Sequence, residues 1–190
     1  NTIRKIDNTT NDVTTIAGQA YVACHKNAQG VEARFNSPWG ITVDKAGYLY
    51  VADTYNHKIR KVDITTGDVT TVQTQDGVFE RPVGVAFDGT TDSIYVSNLM
   101  KKTIDKVSKD GAVTTIAGQS GIEGSTDGLG TTALFSSSFG LTVDRFGNVY
   151  VCDSDNNTIR KIDTTGKVTT IAGKSGQAGI TDGPGTEALF

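Results

Sequence analysis

The chain has little of what most catalytic chemistry requires. Its 190 residues include two histidines, two cysteines and one tryptophan. His25 and His57 both fall in predicted loops, and Ser136, Ser137 and Ser138 have no histidine near them in sequence to act as a base. From these residues we expect no catalytic site, no metal site and no cofactor. No run of 18 apolar residues occurs, so no segment reads as a membrane-spanning helix and no membrane insertion is expected. Net charge is only −3, with a pI near 5.3, which gives no strong pull on nucleic acid or an anionic membrane. No signal peptide is visible. Cys152 falls in a predicted strand and reads as a small buried thiol. Cys24 lies in a loop far from it, so the two are not expected to pair, and any partner of Cys24 lies outside this chain. Proline is scarce, at 3, while glycine is plentiful, at 22, which suits an all-β protein with many tight turns.

The residues that are abundant are arranged in a pattern. From Gly140 to Gly173 the sequence reads GLTVDRFGNVYVCDSDNNTIRKIDTTGKVTTIAG. Four β-type runs stand out: Leu141–Asp144, Val149–Cys152, Thr158–Asp163 and Val168–Ile171. Each gap is a few turn-forming residues, so the strands must pair as an antiparallel meander. The same signals recur upstream. Gly40-Ile-Thr-Val-Asp44 and Gly84-Val-Ala-Phe-Asp88 match the first strand, and Tyr50-Val-Ala-Asp53 and Tyr95-Val-Ser-Asn98 the second. The third-strand isoleucines stand at 3, 59, 104 and 159, giving spacings of 56, 45 and 55 residues. Four strands per period predict a β-propeller blade rather than a helical solenoid.

The unit G-[IL]-T-V-D-x-x-G-x-[LV]-Y-V-x-D-x-x-N-x-x-I-R-K-[IV]-D resembles the NHL repeat. That resemblance implies blades around a central channel with the first strand innermost. The predicted architecture is an all-β NHL-like propeller segment of about three and a half four-stranded blades. Residues 1–18 form a half blade, residues 40–73, 84–118 and 140–173 form full blades, and residues 174–190 form an inter-blade loop. Closed rings need at least four blades, and rings of this kind have about six. The chain therefore reads as an excerpt of a longer polypeptide, or as an arc whose open blade edges self-associate.

With the first strand innermost, the long connections 19–39 and 119–139 share an upper face with the turns from second to third strand. Function concentrates in long loops on a rigid scaffold, so the upper face is the expected binding surface. Phe35, Phe79, Phe135 and Phe190 occupy one position per unit and read as plugs between blades. Trp39 and Phe139 each precede the glycine that starts an inner strand, with Val83 in the equivalent place between them. They are expected to ring the upper channel mouth, either covering the core or anchoring a partner. Tyr55 and His57 lie on the adjacent turn and complete the tentative binding set.

Several other features have a bland explanation. Asp53/Asn56 and Asp153/Asn156 read as turn-capping groups, as do Asp44, Asp88 and Asp144. Asp127-Gly-Leu-Gly130 and Asp182-Gly-Pro-Gly185 read as glycine turns, since they lack the alternating acids of a calcium loop. Arg4, Arg60 and Arg160, with Lys5, Lys61 and Lys161, sit mid-strand, where they are expected to bridge to neighbouring aspartates. Asn8 and Asn156 head Asn-x-Ser/Thr sequons in turns and are candidate glycan sites, which tilts the setting toward extracellular or cell surface. The favoured reading is a non-catalytic interaction or structural scaffold whose partner is another protein or further blades of the same polypeptide. Two rivals remain: a piece of a propeller lyase or lactonase, and, as some NHL rings imply, a single-stranded RNA-binding ring.

Overall fold

The computed structural model describes residues 1–75 and 77–190. Its strands, in chain order, are β1 Thr2–Ile6, β2 Val13–Gly18, β3 Ala28–Gln29, β4 Pro38–Val43, β5 Tyr48–Asp53, β6 Lys58–Asp63, β7 Asp68–Thr71, β8 Pro82–Asp88, β9 Ser93–Asn98, β10 Thr103–Val107, β11 Val113–Ala117, β12 Gly128–Leu129, β13 Ser138–Val143, β14 Val149–Asp153, β15 Thr158–Ile162 and β16 Lys167–Gly173. They form four antiparallel sheets. β1 and β2 make a two-stranded sheet, β8–β11 a four-stranded one, and β4–β7 and β13–β16 four-stranded meanders that each gain a fifth strand. The fold is a partial β-propeller.

The extra strands are a departure from the sequence reading. The connections 19–39 and 119–139, expected as plain loops, each contribute a two-residue strand to the outer edge of the blade that follows. β3 pairs with β7, and β12 pairs with β16. A two-residue bridge carries no alternation for a pattern search to detect, yet it covers an edge that would otherwise present unpaired backbone. The inner strands also start earlier than expected. β13 begins at Ser138, which pairs with Asp153, and a bulge absorbs the residues between Ser138 and Leu141.

The core lies between sheets rather than within them. One cluster joins Ile3 and Ala17 of the first sheet to Phe35, Val51 and Val62 of the second. Another joins Ala52 and Ile59 to Phe79, Val85 and Val96. A third joins Tyr95 and Ile104 to Phe135, Val149 and Val151. Phe35, Phe79 and Phe135 are buried as inter-blade plugs. Phe190 is the exception, half exposed at 51% beside Gly173, because no further sheet lies against it.

The same reason corrects the reading of Cys152. Its counterparts Ala52 and Ser97 are fully buried against the following blade, whereas Cys152 is exposed on the uncovered face of the last one. Both cysteines are free thiols. At the other end, Ile41 and Val43 of β4 are about half exposed, at 50% and 52%, because β1–β2 supplies no inner strand to cover them.

Candidate binding surface

Glycine sets how closely the inner strands approach. A Cβ at Gly40 would collide with the Val83 carbonyl oxygen, and one at Gly84 with the Phe139 carbonyl oxygen. Only hydrogen fits at these two positions, so β4, β8 and β13 pack backbone against backbone. Hydrogen bonds fix the spacing. The Phe87 N–H donates to Thr42 Oγ1 at 3.2 Å. Ser97 Oγ accepts from the Gly84 N–H and donates to the Phe139 carbonyl, each at 2.8 Å.

This close approach brings together two aromatic residues from alternate blades. Trp39, at the start of β4, stacks on Phe139, at the start of β13, with ring centroids 5.7 Å apart and planes inclined by 18°. Val83, the third member of the predicted ring, is buried. Trp39 keeps 55% of its surface exposed while stacked. The stack is therefore more than a lid on the core: over half of the Trp39 surface stays in solvent while its ring rests against Phe139. Offset aromatic stacking adds about 0.5–1.5 kcal/mol beyond area burial.

Tyr55 and His57 form a second cluster on the same rim. The Tyr55 N–H donates to the carbonyl of Asn36 at 3.1 Å, which ties this turn to the chain entering Trp39. The Arg81 guanidinium lies over the Tyr55 ring, 5.0 Å from its centroid. His57, in the left-handed region with φ 57°, accepts the Arg81 N–H on Nδ1 at 3.1 Å. Arg81 comes from the following blade and has no side-chain signal of its own in the repeat. It is the functional candidate that sequence reading missed.

Beneath the rim, the long loops are held by buried charge. Arg60 Nη1 meets Asp53 Oδ2 at 2.8 Å, and Arg160 Nη1 meets Asp153 Oδ2 at 3.0 Å, with all four side chains fully buried. Arg60 also donates to the carbonyls of Arg34 and Lys26 and to Asn27 Oδ1. Arg160 repeats this with the Leu134 and Thr126 carbonyls and Asp127. Each guanidinium packs over its plug phenylalanine, Phe35 or Phe135. The expected Arg-to-Asp bridges are thus present, but as buried clasps. The turn-capping role expected for Asp53 and Asp153 is not. Their Oδ1 atoms accept from the backbone N–H groups of Asn36 and Ser136, 17 residues upstream, and from their own turns they accept the side-chain amides of Asn56 and Asn156 rather than backbone N–H groups. Asp44 and Asp144 do cap, accepting from Ala46 and Tyr48 and from Phe146 and Asn148.

The sequon asparagines differ. Asn8 is exposed. Asn156 Nδ2, the atom a glycan would occupy, donates to Gly124 O at 2.8 Å and Asp153 Oδ2 at 2.7 Å. Among the described residues, no group of three or more His, Cys, Asp or Glu side chains is placed to hold a metal ion, and no helix is long and apolar enough to cross a membrane.

Residues 35–62 match the family model of the NHL repeat. The match falls on one blade, the second. The chain is 27% identical over 206 residues to Protein SUPPRESSOR OF QUENCHING 1, chloroplastic, of Arabidopsis thaliana, covering 95% of this chain and 19% of that one. It is 35% identical over 82 residues to human NHL repeat-containing protein 2, covering 36% of this chain and 11% of that one. An auxiliary nutrient binding protein from Bacteroides ovatus superposes with a TM-score of 0.72 at 19% identity, over 100% of this chain and 57% of that one. The chain thus spans less than a fifth of the length of these two curated relatives. The blades of this chain and those of the solved structure share a fold.

Proposed function

We propose that this chain is a non-catalytic protein-interaction module whose upper rim receives a protein partner on the Trp39–Phe139 stack. The observation that carries the reading is an indole more than half exposed yet held by stacking and by backbone packing beneath it. Exposed, pre-ordered aromatic side chains are the usual anchors of protein interfaces, because they bury large area at little entropic cost. Arg81, poised over Tyr55, adds a cation at the edge of the same rim. An extracellular or cell-surface setting fits the exposed sequon at Asn8. The RNA-binding alternative loses its main support, because Arg60 and Arg160 are sequestered in ion pairs.

The test is affinity capture with wild type and Trp39→Ala in parallel, from extracellular and intracellular fractions of the source. A partner retained by wild type and lost about tenfold or more with Trp39→Ala supports the reading. A partner that binds both equally overturns it.

A further inference from the structure

We propose that a pocket beside Asp105, in the third blade, binds the guanidinium of an arginine side chain from a partner protein. This inference is independent of the Trp39–Phe139 reading.

The chain itself supplies the comparison. At one strand position, paired with a threonine of the fourth strand, the second and fourth blades carry Arg60 and Arg160. There the guanidinium is buried among a carboxylate, two loop carbonyls and a loop side chain. In the third blade the register is the same but the residue is Asp105, opposite Thr115. Asn98 replaces the paired aspartate, and the long preceding loop is missing. The guanidinium has gone, and the loop carbonyl equivalent to those of Arg34 and Leu134, that of Val78, accepts instead from Asn98 Nδ2 and Lys101 Nζ. In place of the guanidinium lies a pocket of about 240 Å³, walled by Val78 and Val113 and lined by Asp105, Thr103 and Thr115. That is room for several waters, and so for a guanidinium with part of its stem.

Asp105 is almost wholly buried. Its carboxylate accepts from Thr115 Oγ1 at 2.7 Å, Asn98 Nδ2 at 3.1 Å and Thr103 Oγ1 at 3.2 Å, all neutral donors. Among the described residues, no cation lies within salt-bridge distance of it. Lys101 also lines the pocket, but its ammonium is turned to the carbonyls of Gly77 and Val78. A buried carboxylate without a cation is costly to desolvate. A planar fork of donors is the group that best satisfies a carboxylate with flanking hydroxyl oxygens. The pocket is therefore an arginine site whose arginine must come from outside.

The experiment titrates the isotopically labelled chain with N-acetyl-arginine amide, following the amide signals of Thr103 and Thr115. N-acetyl-citrulline amide serves as the uncharged control of equal shape. Saturable shifts with the arginine compound, at least tenfold weaker with citrulline and with Asp105→Asn, are expected. A second variant, Asn98→Asp/Asp105→Arg, places a guanidinium in the site from within and is expected to fold and to abolish the response. Equal binding of citrulline, an undiminished response in either variant, or no shift in wild type would each overturn the proposal.

Discussion

Arg60 and Asp53 pair at 2.8 Å with neither side chain exposed, seven residues apart across a single turn. Taking two charges out of water is unfavourable, and the pair is tolerated because the guanidinium also holds the loop carbonyls of Arg34 and Lys26. Removing one partner strands the other. Arg60→Leu is expected to destabilise the fold by about 3–5 kcal/mol. Arg4→Leu, at the equivalent but exposed position of the first sheet, should stay within about 0.5 kcal/mol. Urea midpoints of the two variants, measured side by side, make the comparison. Equal losses would show that the buried clasp contributes nothing beyond the strand.

The inner-strand glycines make a second contrast. Gly84→Ala drives a methyl into the Phe139 carbonyl and Ser97 Oγ, which is overpacking worth about 1–3 kcal/mol. Gly140→Ala meets only Cys152 Sγ at 3.9 Å and should be nearly neutral. Thermal melts of both variants test this, and a Gly140→Ala as damaging as Gly84→Ala would mean that another strand covers that face in solution.

Trp39 is the only tryptophan in the chain, so its fluorescence reports on the rim alone. Phe139→Ala removes the ring it stacks on, and the emission should shift to the red while the unfolding midpoint moves by less than about 1.5 kcal/mol. An unchanged spectrum would mean that the stack does not persist in solution.

Asp144 should titrate unusually low. The Asn148 side-chain amide outweighs the opposing effect of desolvation and, with the backbone N–H groups of Asn148 and Phe146 and the Tyr150 hydroxyl, holds its pKa down to about 2. A depressed carboxylate contributes stability above its unfolded value of about 3.9, and that contribution fades as pH falls toward 2. Carboxyl-carbon NMR should place the midpoint near 2, and Asn148→Ala should raise it toward the ordinary range. A midpoint near 4 in the unaltered chain contradicts the capping geometry.

Both thiols should react with a disulfide reagent in the native state. Cys24 and Cys152 are exposed, so two equivalents are expected without denaturant. A single equivalent would mean that the Cys152 face is covered.

The sequence was most legible where one physical signal repeats. The strand alternation, the turn glycines and the Phe plugs recur in the same order in every unit, so the blades could be read from a single one. The pairing of Trp39 with Phe139 was half visible: their equivalence could be read, but their contact depends on glycine packing across an intervening blade. What the pattern hid lies in the long-range polar bonds. Asp53 looked like a turn cap because its neighbours are turn residues, yet it bonds 17 residues away. The bridge from Arg60 to an aspartate was legible, but its complete burial was not, because the groups that bury it come from a loop 26–34 residues upstream. Cys152 looked buried because its counterparts are, and only the position of its sheet in the arc exposes it.

Each of the three apolar clusters straddles two sheets. Cohesion in this protein is therefore counted in junctions, and a row of sheets always has one fewer junction than it has members. A circle has as many junctions as members, so the last contact orders no additional residue. A propeller of this design gains disproportionately at the moment its two ends meet.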